Sequence, residues 1–254
     1  MQDQCGNEIE ILSFPKRIIC LVPSLTEFFC AIGLEENLVG ITKFCIHPQY
    51  LRKEKSIIGG TKNLNLDLIR DLNPDLIIAN KEENVKEQIE ALKKDFTVYI
   101  SDINSIEDTC VFIKDMAEIF QKKAECEKIL NEIEAEFNSV EYTKKKVLYL
   151  IWNKPYMAVA HNTFINDVLE KVGLENALSK EYSRYPELSA EDVKSLDVDF
   201  VFLSSEPFPY TEKHIEEWEQ LLPQAKVKLV DGEMFSWYGV RFIGVKKYVA
   251  QVLL

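Results

Sequence analysis

Hydrophobic and polar positions follow two rhythms along this chain, and the changes between them mark the elements. Arg17–Val22 (RIICLV) is an apolar run of the kind expected for a strand buried on both faces of a parallel sheet. It leads into Pro23-Ser24-Leu25-Thr26-Glu27, whose spacing predicts a capping box: Ser24 as the N-cap, with Glu27 reaching back to it. The helix that follows runs to Gly33, a residue suited to a left-handed helix end. Further strands are predicted at Leu38–Thr42, Leu76–Ala79 and Thr97–Ile100, and a short edge strand at Ile9–Leu12. Between them lie a helix capped by Asn65 and ending at Leu72, and a helix over Asn84–Lys94. The alternation resumes later, with strands at Val147–Trp152, Phe200–Leu203 and Val227–Val230. Its helices fall at Phe164–Val172, Ala190–Leu196, His214–Leu222 and Phe242–Leu254. Strands that alternate with helices imply mostly parallel sheets flanked by helices.

Between the two halves, Ser105–Lys146 contains neither Gly nor Pro. One apolar stripe runs through Ile106, Cys110, Ile113, Ala117, Phe120 and Ala124, and a second through Cys126, Ile129, Ile133, Phe137 and Val140. The two-residue slip between them turns the apolar face by roughly 200°. The pattern therefore predicts two helices with a break near Gln121–Lys123. The second, over about 122–143, would be a helix roughly 30 Å long. Taken alone, it reads either as a surface helix of an ordinary domain or as a rigid strut between two lobes.

The two flanking halves match in more than rhythm. Gly33-Leu34-Glu35-Glu36-Asn37 and Gly173-Leu174-Glu175-Asn176 both end the helix after the first buried strand. Asn65–Ile77 aligns with Ser189–Val201: an N-cap, a carboxylate two residues later, a helix, then Asp and a buried strand. Internal duplication follows from two matches in the same order. The division is an N-terminal lobe at 1–104, a connecting segment at 105–146 and a C-terminal lobe at 147–254, with a single cleft between the lobes for a ligand.

Charge narrows the function. With 42 acidic against 30 basic residues the net charge is −12, which excludes nucleic acid as the main partner because phosphate binding needs clustered Lys and Arg. No apolar stretch is long enough to insert into a bilayer. Met1–Ile11 lacks the basic and apolar regions of a secretory signal, implying either a cytoplasmic protein or a mature or trimmed form. Six cysteines form no CxxC pair, and Cys20, Cys30, Cys110 and Cys126 fall at apolar positions, so free thiols are expected. There is no P-loop, G-x-G-x-x-G or G-x-S-x-G elbow, and the chain is not expected to be an enzyme. His47 and His161 have no H-x-x-x-H partner, so no metal site is assigned, although His47 remains open as a ligand to the metal of a bound chelate.

PKRIICLVPSLTE, the GGT…NLDLIRDLNPDLIIA segment, the connecting helix and LSAEDVKSLDVDFVFLSSEP together resemble the class III solute-binding proteins of ABC transporters. These are the helical-backbone metal receptors for cobalamin, haem and ferric siderophores, and the likeness is strongest to the cobalamin-binding branch. The resemblance spans nearly the whole chain. It implies two α/β lobes joined by one long rigid helix, a metal-chelate ligand between them, an ABC permease as partner, a monomer, no intrinsic cofactor, and a periplasmic or surface location. An intracellular binding or sensing protein on the same fold is the first alternative, and an enzyme on that fold the second.

The resemblance also carries residue roles. Asp67 and Glu191, each near the start of a helix in its lobe, fall where the family docks onto permease arginines; the helix dipole alone would also favour a carboxylate there. Asp67 stands where Glu is usual. Pro23, Ser24, Leu25 and Thr26 fall at the ligand edge after the first strand, with helix N–H groups for an acceptor. Phe44 and Tyr185 occupy aromatic positions that would lie against a macrocycle, whereas Thr61 and Asn80 replace two tryptophans of the cobalamin branch. In Asp231–Arg241, the residues Trp237, Tyr238 and Arg241 fit ligand-contacting positions; the other reading is an aromatic plug with Arg241 paired to Glu233.

Overall fold

The computed structural model describes residues 1–138 and 144–254. The first apolar run becomes β1 (Ile18–Cys20), fully buried. Then come α1 (Pro23–Ala31), β2 (Leu38–Ile41), α2 (Leu51–Glu54), β3 (Ser56–Ile57), β4 (Gly59–Gly60) and β5 (Asn63–Leu64). α3 (Leu66–Leu72), β6 (Leu76–Asn80), α4 (Lys86–Leu92) and β7 (Val98–Ser101) complete this half. The sheet order is β3-β2-β1-β6-β7, with β1 parallel to both neighbours. Ile19, Ile77 and Ala79 pack with Ile69, Ile89 and Leu92 from the helices. Ile18 and Cys20 point the other way along the pleat and are equally buried, which is why the run has no polar alternation. Phe28, Phe29, Phe112, Phe120 and Tyr99 form a second core by edge-to-face contacts with centroids 5.4–5.8 Å apart.

α5 (Ile106–Ile119) and α6 (Lys123–Phe137) are separated at the point where the apolar stripes slip. Gln121 there is left-handed (φ 52°), and Lys122 N–H reaches back to the Ala117 carbonyl at 3.1 Å, closing α5 as a Schellman turn. Gly33 ends α1 in the same way, with Leu34 N–H on the Phe29 carbonyl at 2.9 Å. Residues 139–143 of the expected backbone helix lie outside the described residues.

The later half holds β8 (Lys145–Trp152), β9 (Tyr156–Ala158), α7 (Phe164–Lys171), β10 (Leu174–Asn176), β11 (Glu187–Leu188) and α8 (Ala190–Ser195). β12 (Phe200–Ser204), α9 (Ile215–Leu221), β13 (Lys226–Val230), α10 (Glu233–Ser236) and α11 (Val245–Val252) follow. β10, β8, β12 and β13 are parallel and repeat the order of β2, β1, β6 and β7. β9 adds antiparallel to the far end of β8, and β11 to β9. The core gathers Leu148, Leu150, Val201 and Leu203 around Trp218. By contacts the chain divides into two compact units: Met1–Ile103 with Glu107–Asn131 and Tyr238–Val240, and Asn104–Ile106 with Glu132–Trp237 and Arg241–Leu254.

The aligned aspartates do the same work in each unit. Asp75 Oδ2 accepts from Lys16 N–H (2.8 Å) and Arg17 N–H (2.9 Å), and its own N–H donates to the Arg17 carbonyl (2.8 Å). Asp199 Oδ2 accepts from Lys146 N–H (2.9 Å), and its N–H donates to the Lys146 carbonyl (2.9 Å). Each clasp ties the entry of its unit's first strand to the entry of the neighbouring strand.

Four local expectations are corrected. Ile9–Leu12 is not a strand; Gln2 and Glu8 form an isolated bridge instead. Asp3 organises that turn through Cys5 and Asn7 N–H and reaches Ile100 N–H, so the edge at β7 is met by a side-chain hook. Ser24 is not the N-cap of α1 and forms no capping box. Val22 is the cap, because Pro23 has no N–H to lose and its fixed φ starts the helix one residue earlier. The helix expected from Asn84 begins at Lys86, since the Asn84 side chain is bonded elsewhere. The closing helix begins at Val245, after Gly244 at φ 97°, rather than at Phe242.

Asp199→Ala should lower unfolding free energy by about 1 kcal/mol, a charged hydrogen bond discounted for partial exposure. The Lys145 ammonium and the Lys146 N–H hold the Asp199 pKa below the usual carboxylate range. Its contribution is therefore present above the unfolded pKa and fades as pH falls through the folded one. Urea unfolding of both proteins across the acid range should show their difference closing, and a gap that persists at the acid end would refute the clasp.

Candidate ligand-binding site

In parallel α/β sheets the C-terminal strand ends leave backbone groups and side chains facing outward, and ligands bind there. In the first unit this edge is built by the loops after β1, β2 and β6. Asn84 ties the loop after β6 to the end of β1 and to the β4–β5 turn: its Oδ1 accepts from Asn80 N–H (2.8 Å), and its Nδ2 donates to the carbonyls of Leu21 (3.3 Å) and Thr61 (3.1 Å). Asn80 is buried, and its Oδ1 accepts from Glu82 and Glu83 N–H at 2.9 and 3.0 Å. At this position the chain thus uses a small amide to shape the loop.

Of the residues expected at this edge, Pro23, Ser24, Leu25 and Thr26 are all buried in the first turn of α1. The Thr26 hydroxyl donates to the Val22 carbonyl (3.0 Å) and accepts from the Cys45 thiol (3.2 Å). Ser24 Oγ has no hydrogen-bond partner, a buried hydroxyl left unsatisfied. No acidic residue lies in the first turn of α1. Phe44 is 49% exposed, with the Lys43 ammonium 5.0 Å from its ring centre. A side chain at Gly60 would press on Phe44 Cε2 at 3.1 Å, so the glycine lets the ring lie close to the backbone. Tyr238 packs with this unit: it is buried, and its hydroxyl donates to Glu83 at 3.0 Å. Burial, then the Glu83 charge, pushes the Tyr238 phenol well above its ordinary range, so it stays a neutral donor.

In the second unit the edge comprises the loops after β8, β12 and β13. Trp152, at the end of β8, is 42% exposed and stands edge-on to Phe208 at 5.7 Å, while Tyr210 Oη holds its carbonyl at 2.9 Å. Trp237 is buried and donates from Nε1 to Glu206 Oε1 at 3.0 Å. The Arg241 guanidinium lies 5.8 Å from the Trp237 ring centre and 3.8 Å from Glu233 Oε2. Tyr185 is partly exposed beneath the Arg184 guanidinium, 5.5 Å from its ring. Burial, opposed by the Ser236 and Trp237 donors, raises the Glu206 pKa.

Asp67 and Glu191 are exposed in the first turns of α3 and α8. Asp67 is 3.3 Å from Arg70. Ser189 caps α8 in a full capping box with Asp192, and Asn65 caps α3 through Leu68 N–H. His161 Nε2 pairs with the Leu178 carbonyl at 2.9 Å. Among the described residues no group of three or more His, Cys, Asp or Glu side chains is placed to hold a metal ion, no disulfide is formed, and no helix is long and apolar enough to cross a membrane. Trp152, Glu83 and Glu206 were not among the residues picked from the sequence. Their available signal was position alone: an aromatic or acid within a few residues of a buried run.

A family model described as periplasmic binding protein matches residues 18–228. The vitamin B12-binding protein of Vibrio campbellii is 27% identical over 195 residues, covering 74% of this chain and 70% of that protein. The uncharacterized ABC transporter substrate-binding lipoprotein YvrC of Bacillus subtilis is 22% identical over 269 residues, covering 99% and 84%. Among solved structures, the periplasmic heme-binding protein HutB of Vibrio cholerae superposes with a TM-score of 0.78 at 19% identity, covering 93% of this chain and 98% of that one. The structural likeness shows that this chain shares the α/β fold of that protein.

Asn84→Ala should reduce stability by about 2 kcal/mol, because it strips one acceptor and two donors from buried loop backbone. Denaturant unfolding would measure it, and a change below about 0.5 kcal/mol, the range of neutral surface changes, would contradict the role given to Asn84.

Proposed function

This chain belongs to the periplasmic binding protein family, a family of solute-binding proteins rather than enzymes, and we propose that it is the solute-binding component of an ABC importer. Its solute is a metal-bearing macrocycle or chelate of the cobalamin, haem or ferric-siderophore class. The observation that carries this reading is the family match across both halves of a duplicated α/β chain. Exposed or half-exposed aromatic side chains support it: Phe44 after β2 in one half, Trp152 at the end of β8 and Tyr185 between β10 and β11 in the other. Flat rings offer a macrocycle large contact area for little lost rotamer freedom. The protein works as a monomer in the periplasm or at the cell surface and holds its solute without chemistry. Pro23, Ser24, Leu25, Thr26, Phe44, Tyr185, Trp237, Tyr238 and Arg241 are the ligand-binding set in this reading. Because the side chains of Ser24, Leu25 and Thr26 are all buried, the first turn of α1 would act through its backbone. Trp152 joins the set on its exposure.

Asp67 and Glu191 dock the loaded protein onto permease arginines. Both are exposed near the start of matched helices.

Titration of the protein with cobalamin, haemin and a ferric-siderophore panel, followed by tryptophan fluorescence, should give a saturable signal at micromolar or tighter affinity for one class. Silence across the panel would reject the macrocycle and chelate reading. The double variant Asp67→Ala/Glu191→Ala should bind the same solute with unchanged affinity and fail to engage its permease. Transport at the wild-type rate by that variant would rule the docking role out.

A further inference from the structure

Glu206 holds together the second unit's strand-end edge. Its Oε1 accepts from both the Ser236 hydroxyl and Trp237 Nε1, fixing the indole against the loop after β12. Its backbone is pinned too: Ser204 Oγ donates to the Glu206 carbonyl at 2.7 Å and accepts from Glu206 N–H at 3.3 Å. Tyr149 Oη in turn donates to Ser204 Oγ at 3.2 Å. Across the loop, Gly232 leaves no room for a side chain, since a Cβ there would meet Glu206 Cγ at 2.6 Å. Gly232 N–H is itself taken by Ser205 Oγ at 2.9 Å.

One atom of this assembly is unspent. Glu206 Oε2 has no hydrogen-bond partner among the described residues, and it is not among the fully buried unsatisfied atoms. A partly buried carboxylate oxygen with open lone pairs is a directed acceptor on a rigid base. The nearby charges add to its preference. Asp231 and Glu233 both press negative charge on Glu206, and the Arg241 guanidinium lies by Glu233. An anionic group brought to Oε2 would meet like charge, whereas an N–H donor would satisfy a desolvated acceptor.

We propose that Glu206 is a ligand-recognising residue of this protein, its Oε2 accepting a hydrogen bond from an N–H donor, neutral amide or cationic nitrogen, on the solute. The inference rests on the solute-binding reading and sharpens it. It selects chelates that present N–H groups to this edge over those that present carboxylates.

The test needs no knowledge of the natural solute. Benzamidinium and benzoate share a ring and shape but oppose each other in charge and donor character. Each is titrated into protein carrying 15N-labelled tryptophan, at mildly alkaline pH, and the Trp237 Nε1 resonance is followed. Benzamidinium should move that resonance saturably, and benzoate should not. Glu206→Gln keeps an acceptor for Ser236 and Trp237 but replaces Oε2 with an amide donor. It should weaken benzamidinium about tenfold or more while leaving circular dichroism unchanged. Ser236→Ala, which loosens the side chain but keeps the carboxylate, should weaken it far less. No benzamidinium response, an equal benzoate response, or an unaltered response in Glu206→Gln would each overturn the proposal. A benzamidinium response alongside silence toward cobalamin, haemin and siderophores would uphold Glu206 and reject the macrocycle and chelate reading. Tight binding of one of those solutes with equal affinity in Glu206→Gln would do the reverse.

Discussion

The first strand of each half is buried on both faces, so every backbone N–H and C=O along it must find a partner within the protein. For β1 the partners are β2 and β6; for β8 they are β10, β9 and β12. Lateral pairing serves the middle of a strand but not its ends. At the entry, the aspartate clasps Asp75 and Asp199 take up the first N–H groups. At the exit, loops must take over, and their side chains decide what the surface there looks like.

That demand explains why amides and hydroxyls crowd the strand exits. Asn80 and Asn84 in the first half, and Ser204 in the second, spend their hydrogen bonds on neighbouring loop backbone. Loops tied at several points are stiff, and stiffness lets an exposed ring such as Phe44 or Trp152 keep one orientation. The fold and a rigid strand-end edge therefore come from a single requirement, backbone satisfaction around a buried strand.

The same hydrogen bonds constrain recognition. Trp237, Tyr238 and Arg241 carry the polar groups expected to meet a ligand, yet each already contacts an acid of its own chain: Glu206, Glu83 and Glu233. A solute has to compete with these contacts or use what they leave over. Glu206 Oε2 is such a remainder, and its negative surroundings favour donors over anions.

Much of this was legible in the one-dimensional pattern. The doubled βα order, the break at Gln121 and the exposed helix-start acids Asp67 and Glu191 follow from local rules: apolar period, helix-end geometry and dipole. Such rules act within a few residues, so the residues themselves determine them. Ser24 marks where that reach ended, because a capping-box spacing gave way to Pro23 and left a buried hydroxyl without a partner. The extra strands β9 and β11, too short to show a period, exist only because β8 offers an open edge at its far end. The pairings of Glu206 with Trp237 and of Glu83 with Tyr238 span 31 and 155 residues. No spacing rule operates over such distances. Sequence alone determined the family of the fold and its repeat; only tertiary packing decided which polar atoms were spent inside the protein and which were left unpaired.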